Sequence, residues 1–394
     1  MSALLITNAK IVTDRITNGC VLTENGKIRA CLAKTPEGYS GDVFDARGMY
    51  LSPGFIDVHT HGAGGADFMV GSAEAVITAA KAHLAHGATG IVPTSVAAPY
   101  DRIVRFIDNF KEAKGIIRGG PALLGMHLEG PYLNPEYKGA IDERYITPPV
   151  EAEYKELTEM SEGMLIRWTI APELPGAMEM ADYLVLKGIK PSVGHSSAVY
   201  AQVREAFERG FRHVTHLYSS MSTITRRGGF RLPGVIESAY IIEGMTAELI
   251  SDGCHLPPEM LLMAYRMKGA GRLCMVTDSM RVAGRDEASS VIGDLVGGLP
   301  VIIEDGVAKL PDRSAFAGSV ATCDRLVRVM RDSGVPLCDC VRMMCEVPAE
   351  MAGAKTKGRI AEGMDADLVI FDEGINIKKV FIGGREAAYG QPGF

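Results

Sequence analysis

The chain has 394 residues, 41 basic and 48 acidic side chains, a formal charge of −7, and 47% apolar against 23% charged residues. That composition belongs to a globular protein with a substantial core. The acidic balance and the lack of any dense Lys/Arg run exclude nucleic acid or an anionic membrane surface as the main partner, and point to a small-molecule ligand. The N-terminus lacks a basic segment followed by a sustained apolar run, and nowhere do about 18 uninterrupted apolar residues occur. The eight scattered cysteines, with Cys338, Cys340 and Cys345 in no CxxC spacing, suit buried, reduced thiols better than a disulfide framework. A soluble, cytoplasmic protein is expected.

In chain order, residues 4–13 and 20–32 read as strands rich in Ile, Val, Leu and Thr, the second broken by a hairpin-type Glu24-Asn25-Gly26-Lys27 turn. Residues 51–355 then alternate short apolar runs with helical stretches, the pattern of βα units around a parallel sheet. Candidate strands end near Val58, Val96, Glu129, Ala171, His195, His216, Asp252 and Asp278. Eight such units predict a closed (β/α)8 TIM-like barrel, and no shared repeat consensus supports a solenoid instead. Val291–Leu310 is a β-rich excursion with Gly293, Gly297, Gly298 and Gly306 as turns, after which helices resume to about residue 355. Strands return at 366–371 and 377–382. The expected architecture is therefore α/β: residues 1–50 and 356–394 form a small β-sandwich domain beside the barrel of residues 51–355.

The chemistry gathers at the predicted strand ends. His59 and His61 stand two apart at the end of the first barrel strand, so strand periodicity puts both imidazoles on one side. Glu129 ends the third strand, His195 the fifth, His216 the sixth and Asp278 the eighth. A carboxylate on an apolar strand end is costly unless a cation meets it. Six ligand-type groups on the rim where barrels place their active sites predict a centre for one or two divalent ions, Zn²⁺ first, with Fe²⁺ or Mn²⁺ as alternatives. Such an ion lowers the pKa of its water to about 7. Asp278 is placed to take that proton and then deliver it to a leaving group. His255, in the loop after the seventh strand, is a candidate substrate contact. His83 and His86, spaced i, i+3, read as surface or helix-packing residues. His213, three before His216, is expected on the opposite face as a structural residue, and His127 shares the face of Glu129 one layer deeper.

The segments PGFIDVHTHG (53–62), HLEGPYLNPEYKGA (127–140), GHSSA (194–198), THLY (215–218), DGCHLPP (252–258), VTDSM (276–280), AGS (317–319) and GMDADLVIFD (363–372) follow one another in register. In these the chain resembles the amidohydrolase superfamily, and within it the N-acetylglucosamine-6-phosphate deacetylase family. The resemblance implies that Glu129 replaces the bridging carboxylated lysine found elsewhere in the superfamily. It implies that His195 and His216 hold the main metal and that His59 and His61, with Asp278, can hold a second. Asp278 matches the catalytic aspartate and His255 the histidine that contacts the sugar. The implied reaction releases acetate and a free amine from an N-acetylated amino-sugar phosphate, in a homodimer.

Three departures fall where sugar and phosphate bind in that family. Its KGAH reads Lys138-Gly139-Ala140-Ile141, and its THLYNAM reads THLYSSM with Ser219 and Ser220. The arginine stretch is lengthened to Arg226-Arg227-Gly228-Gly229-Phe230-Arg231-Leu232-Pro233-Gly234, where Arg227 matches by distance and Arg231 by motif. Ala140, Ser219, Ser220, Arg227 and Arg231 thus join His255 as candidate substrate contacts, with backbone amides able to hold phosphate whatever the side chains. Another acyl amine or a cyclic amide, phosphorylated or not, is the alternative substrate. A non-catalytic sugar-phosphate-binding relative is disfavoured by the intact ligand set.

Overall fold

The computed structural model describes residues 3–293 and 298–388. Gly297, one of the expected turn residues, lies outside them. Both ends of the chain contribute to one sheet, made of Ala3–Val12, Ile16–Glu24, Lys27–Leu32, Asp42–Asp45, Tyr50–Pro53, Leu368–Phe371, Ile377–Ile382 and Arg385–Glu386. Asn25 and Gly26, both at positive φ, turn the chain between the paired Glu24 and Lys27, as a twisted two-residue hairpin requires. A register shift between Ile6 and Ala9 divides the first strand. Its first half pairs with Asp42–Asp45 and its second half with Tyr50 and Leu51. In hydrogen-bonding terms the expected sandwich is therefore a single branched sheet of eight strands. Because Tyr50–Pro53 pairs with Leu368–Phe371, that sheet runs three residues past position 50. Ile6, Ile11, Leu51, Leu368, Ile370 and Phe381 form its core.

Eight further strands run parallel: Phe55–Thr60, Ala88–Pro93, Met126–Glu129, Leu165–Ile170, Lys190–Val193, His213–Val214, Thr246–Ile250 and Leu273–Val276. The third to the eighth form one continuous sheet, and the first two belong to a smaller one. Backbone bonds close the ring. The Ser95 N–H donates to His127 O (2.9 Å) between the second and third strands. Asp278 N–H to His59 O (2.9 Å) and His61 N–H to Ser279 O (2.8 Å) join the eighth to the first. A helix follows each strand, from Ala73–Leu84 after the first to Cys323–Asp332 after the eighth. The expected excursion is a four-stranded antiparallel sheet, Ser289–Ile292, Leu299–Glu304, Val307–Lys309 and Phe316–Ser319, inserted before that last helix.

Alternation along the strands divides the barrel into layers. Leu128, Trp168, Ile170, Ala247 and Leu249 join the large core between strands and helices. Ile56, Val58, Val92, Ile250, Cys274 and Val276 cluster in a separate group with Val347 and Ala349, which come from the helix Glu346–Met351. This apolar group fills the end of the barrel remote from the candidate ligands. None of the described helices is long and apolar enough to cross a membrane.

Gly54 joins the two parts: its N–H donates to Asp367 O (2.8 Å) of the terminal sheet, just before the first barrel strand. A Cβ there would lie 2.0 Å from Thr89 Oγ1. Gly54→Ala is expected to destabilise the protein by about 1–3 kcal/mol through overpacking, read as a lower midpoint in guanidinium unfolding.

Candidate metal centre and active site

The first strand carries a bulge. Asp57 is level with Ile91 and Thr60 with Pro93, so three steps of one strand match two of the other. Bulges re-aim side chains beside active sites. Here Val58 remains in the interior apolar group while the adjacent His59 reaches the carboxylates of Glu129 and Asp278. Three candidate ligands at strand ends, His195, His216 and Asp278, have φ of 47°, 30° and 46°. Left-handed backbone at non-glycine residues costs on the order of 1–3 kcal/mol each and clusters at functional sites.

Glu129 is the centre of the arrangement. Its Oε1 lies 3.2 Å from His195 Nε2 and 2.9 Å from His216 Nε2, which are 3.1 Å from each other. Its Oε2 lies 3.4 Å from His59 Nε2 and 3.3 Å from His61 Nε2. Asp278 Oδ1 faces the same pair, 3.4 Å from His59 Nε2 and 3.0 Å from His61 Nε2. The six residues thus form two groups that share one carboxylate, Glu129 with His195 and His216, and Glu129 with His59, His61 and Asp278.

The second nitrogens of the rings decide what belongs between these groups. The His59 Nδ1–H donates to Glu248 Oε2 (2.9 Å), the His61 Nδ1–H to Thr94 O (3.2 Å), and the His195 Nδ1–H to Tyr137 O (2.8 Å). With Nδ1 protonated, the Nε2 of each neutral ring is a bare lone pair. Those lone pairs point at carboxylate oxygens, and His59 Nε2 has no hydrogen-bond partner although fully buried. Lone pair against lone pair is repulsive until a cation lies between them. The donor set of imidazole nitrogens and carboxylate oxygens fits one or two divalent ions. Titration tells the same story. Burial opposes a charge on His61, but Asp278 and Glu129 overcome it and raise its pKa to about 9. Burial opposes charge on His59 too, and the carboxylates of Glu248, Glu129 and Asp278 hold it well above the usual range. Glu129 is held well below the ordinary carboxylate range: burial acts to raise it, and His59, His195 and His216 prevail.

Glu248 and Arg167, absent from the expected site, support it from below. Both are buried on barrel strands and ion-paired. Glu248 also accepts the backbone N–H of His216 (3.0 Å). Arg167 donates to Val58 O (2.8 Å) and to His127 Nδ1 (2.8 Å), whose Nε2–H reaches Thr169 Oγ1 (2.7 Å). Burial, then the Arg167 charge, keeps His127 neutral. The signal that exposes Glu129, a charge in an apolar strand, is equally present in Leu165-Ile166-Arg167-Trp168 and Ala247-Glu248-Leu249.

One histidine expectation changes. His213, expected on the face opposite His216, has its Nε2 3.5 Å from Glu248 Oε1, the residue that also holds the His216 backbone. The left-handed turn at His216 breaks strand parity. His83 is a packing residue and fully buried, its Nε2 2.9 Å from Thr60 Oγ1.

Above the ligands opens a cavity of about 550 Å³, lined by His61, Glu129, His195, His216 and Asp278 together with Ala140, Ser219, Ser220 and His255. His255 donates its Nδ1–H to Asp252 Oδ2 (2.8 Å), which leaves Nε2 as an acceptor. Arg227 and Arg231 are the exception. They stand on an exposed hairpin, Thr225–Arg227 with Phe230–Leu232, and do not line the cavity. Gly228 and Gly229, both at positive φ, close that hairpin tightly and carry the arginines away on it. The cavity's own arginines are Arg102, in the first turn of the helix Tyr100–Ile116 after the second strand, and Arg144, in the short 3-10 helix Glu143–Tyr145 after the third.

Residues 50–387 match the model of the amidohydrolase family. The chain is similar to the N-acetylglucosamine-6-phosphate deacetylases of Lysinibacillus sphaericus, 32% identical with 97% of both chains covered, and of Bacillus subtilis (strain 168), 33% identical with 93% of both covered. It is also similar to the solved structure of a mutant deacetylase from Mycobacterium smegmatis in complex with N-acetyl-D-glucosamine-6-phosphate. That match has 28% identity and a TM-score of 0.89, covering 98% of this chain and 100% of the other.

The Arg167–Glu248 pair is open to a double-mutant test. Glu248→Gln strands a buried guanidinium and is expected to lower unfolding stability by about 3–5 kcal/mol. Adding Arg167→Met should recover part of that loss in the same denaturant titration.

Proposed function

The chain belongs to the amidohydrolase family, and from that premise we propose that it hydrolyses the acetamide of an N-acetylated amino-sugar 6-phosphate, N-acetylglucosamine 6-phosphate first, to acetate and the amino-sugar phosphate. The observation that carries the proposal is the Glu129 carboxylate divided between two imidazole pairs, beside Asp278 on the cavity floor. His195 and His216 with Glu129 would hold one ion, and His59, His61 and Asp278 with Glu129 a second. A divalent ion bound there, Zn²⁺ in the first instance, polarises the amide carbonyl and makes water acidic enough to attack near neutral pH.

The remaining work falls to side chains. Asp278 ionises readily: burial disfavours its charge, but the imidazoles of His59 and His61 hold its pKa below the ordinary range. It accepts a proton from the attacking water and returns it to the nitrogen as the C–N bond breaks, so that the amine leaves neutral. His255 Nε2 is the acceptor for a sugar hydroxyl, oriented through Asp252, whose Oδ2 also accepts from Ser319 Oγ (3.0 Å). Ser219 and Ser220 line the side where phosphate would lie. We assign Arg227 and Arg231 to a homodimer contact, because their hairpin carries Phe230 79% exposed. Eight unpaired cysteines accord with work in the cytoplasm.

One observation favours a second reading, in which the same chemistry serves a different acyl amine. Ile141 stands where the resemblance places a histidine, and the cavity wall beside it is largely apolar, with Met69, Val70, Val96, Ile292 and Phe316. Such a wall suits a longer acyl group better than a sugar hydroxyl.

Chelation is expected to abolish acetate release and added Zn²⁺ to restore it; undiminished turnover of metal-free protein would overturn the proposal. Asp278→Asn should lower kcat by about 10²–10⁴; metal content near wild type by elemental analysis would mark proton transfer as its main role, and loss of one equivalent would mark it as chiefly a ligand. Across a panel of N-acyl glucosamines with and without 6-phosphate, kcat/KM should favour the phosphorylated acetamide. A maximum at longer acyl chains would establish the second reading instead.

A further inference from the structure

Behind the first barrel strand, on the side away from the cavity, lies another convergence of ligand-type groups. Asp57, His83 and Cys323 each bring one ligand atom within 4.8 Å of the others, and all three side chains are buried. They come from three elements: the strand Phe55–Thr60, the last turn of the helix Ala73–Leu84, and the first residue of the helix Cys323–Asp332. We infer that Asp57, His83 and Cys323 form a second cation site, separate from the Glu129 centre, for a thiophilic divalent ion such as Zn²⁺.

Asp57 is short of a countercharge and His83 of a hydrogen-bond partner. Asp57 accepts only the backbone N–H groups of His59 and Thr277 (both 3.3 Å) and the Thr277 hydroxyl (2.5 Å). Among the described residues no Lys or Arg pairs with it, and the charge that acts on this buried carboxylate is the His59 imidazole two residues along the strand. His83 uses Nε2 on Thr60 Oγ1 (2.9 Å), and its buried Nδ1 has no partner at all. No hydrogen bond joins the three side chains to one another. They are thus too far apart to satisfy each other and close enough to share an ion with bonds of about 2.0–2.3 Å. Carboxylate oxygen, imidazole nitrogen and thiolate sulfur are the three donor types that Zn²⁺ takes in proteins, and three of them leave one tetrahedral position for water.

The position gives the site a structural role. Thr60, which holds His83, and Asp57, which would hold the ion, flank His59 on the same strand. An ion here would clamp the first and last barrel helices to the back of the strand whose front presents His59 and His61. Binding energy at such a site adds to folding energy.

The test uses the whole protein, stripped with chelator and reloaded with Co²⁺. The Glu129 centre holds no sulfur ligand, so a sulfur-to-cobalt charge-transfer band in the near ultraviolet reports the Cys323 site alone. We expect that band in the wild-type protein, its loss in Cys323→Ser, and one metal equivalent fewer per chain in that variant by elemental analysis. His83→Gln should lose the same equivalent while Cys323 is intact, which keeps the test open if the serine variant folds poorly. A cobalt-loaded wild type without the band, a band that survives in Cys323→Ser, or equal stoichiometry in wild type and both variants would overturn the proposal and leave the three groups around a water.

Discussion

A buried carboxylate with imidazole lone pairs trained on it is unstable without added positive charge, and that instability organises the site. Glu129 offers one oxygen to His195 and His216 and the other to His59 and His61. Three of the four rings have committed the opposite nitrogen to Glu248, Thr94 or Tyr137. With these side chains so deeply buried, positive charge must come either from several protons or from metal ions. The raised pKa values of His59 and His61 and the lowered values of Glu129 and Asp278 are two sides of this one demand.

The fold answers that demand with a layered interior. At one end the barrel is plugged by Ile56, Val92, Ile250 and Val276 with the helix Glu346–Met351. Between this plug and the ligands runs a buried polar tier. In it Arg167 balances Glu248, His127 stays neutral, and the hydroxyls of Thr169, Thr215 and Ser192 bond in a chain. The tier has a mechanical consequence: Glu248 holds the His59 ring and the His216 backbone at once, so the two ligand pairs are referred to one rigid group. Fixed ligand positions are what metal geometry and proton transfer both require.

Much of this is legible in residue pattern, because the pattern and the physics coincide at strand ends. Period-two alternation places His59 and His61 together, and polar residues ending apolar runs mark Glu129, His195, His216 and Asp278. Where local geometry breaks periodicity, pattern misleads. The left-handed backbone at His216 undoes the parity argument for His213. The bulge that brings His59 and Val58 to the same side of the first strand is invisible in composition. Glu248 and Arg167 carry the same signal, a charge in an apolar strand, but lie mid-strand rather than at a strand end, so a reading confined to strand ends passes over them. The arginines of residues 226–231 look like an anion site in one dimension, but a Gly-Gly hairpin displaces them from the cavity in three.

Catalytic groups and recognition groups are also held differently, which bears on why one is easier to assign than the other. Every candidate metal ligand sits within a residue or two of a strand locked into the closed ring by backbone bonds such as Asp278 N–H to His59 O. The cavity wall is built from loops and from the inserted antiparallel sheet, through Ala140, Ile141, Ser219, Ile292 and Phe316. Loops can change side chains without disturbing the ring. Other side chains at Ile141, Ser219 and Ser220 would therefore change the cavity lining while leaving the lone-pair geometry around Glu129 untouched. The candidate ligands sit on or just past the strands and the candidate substrate contacts on the loops, so the second set can vary without moving the first.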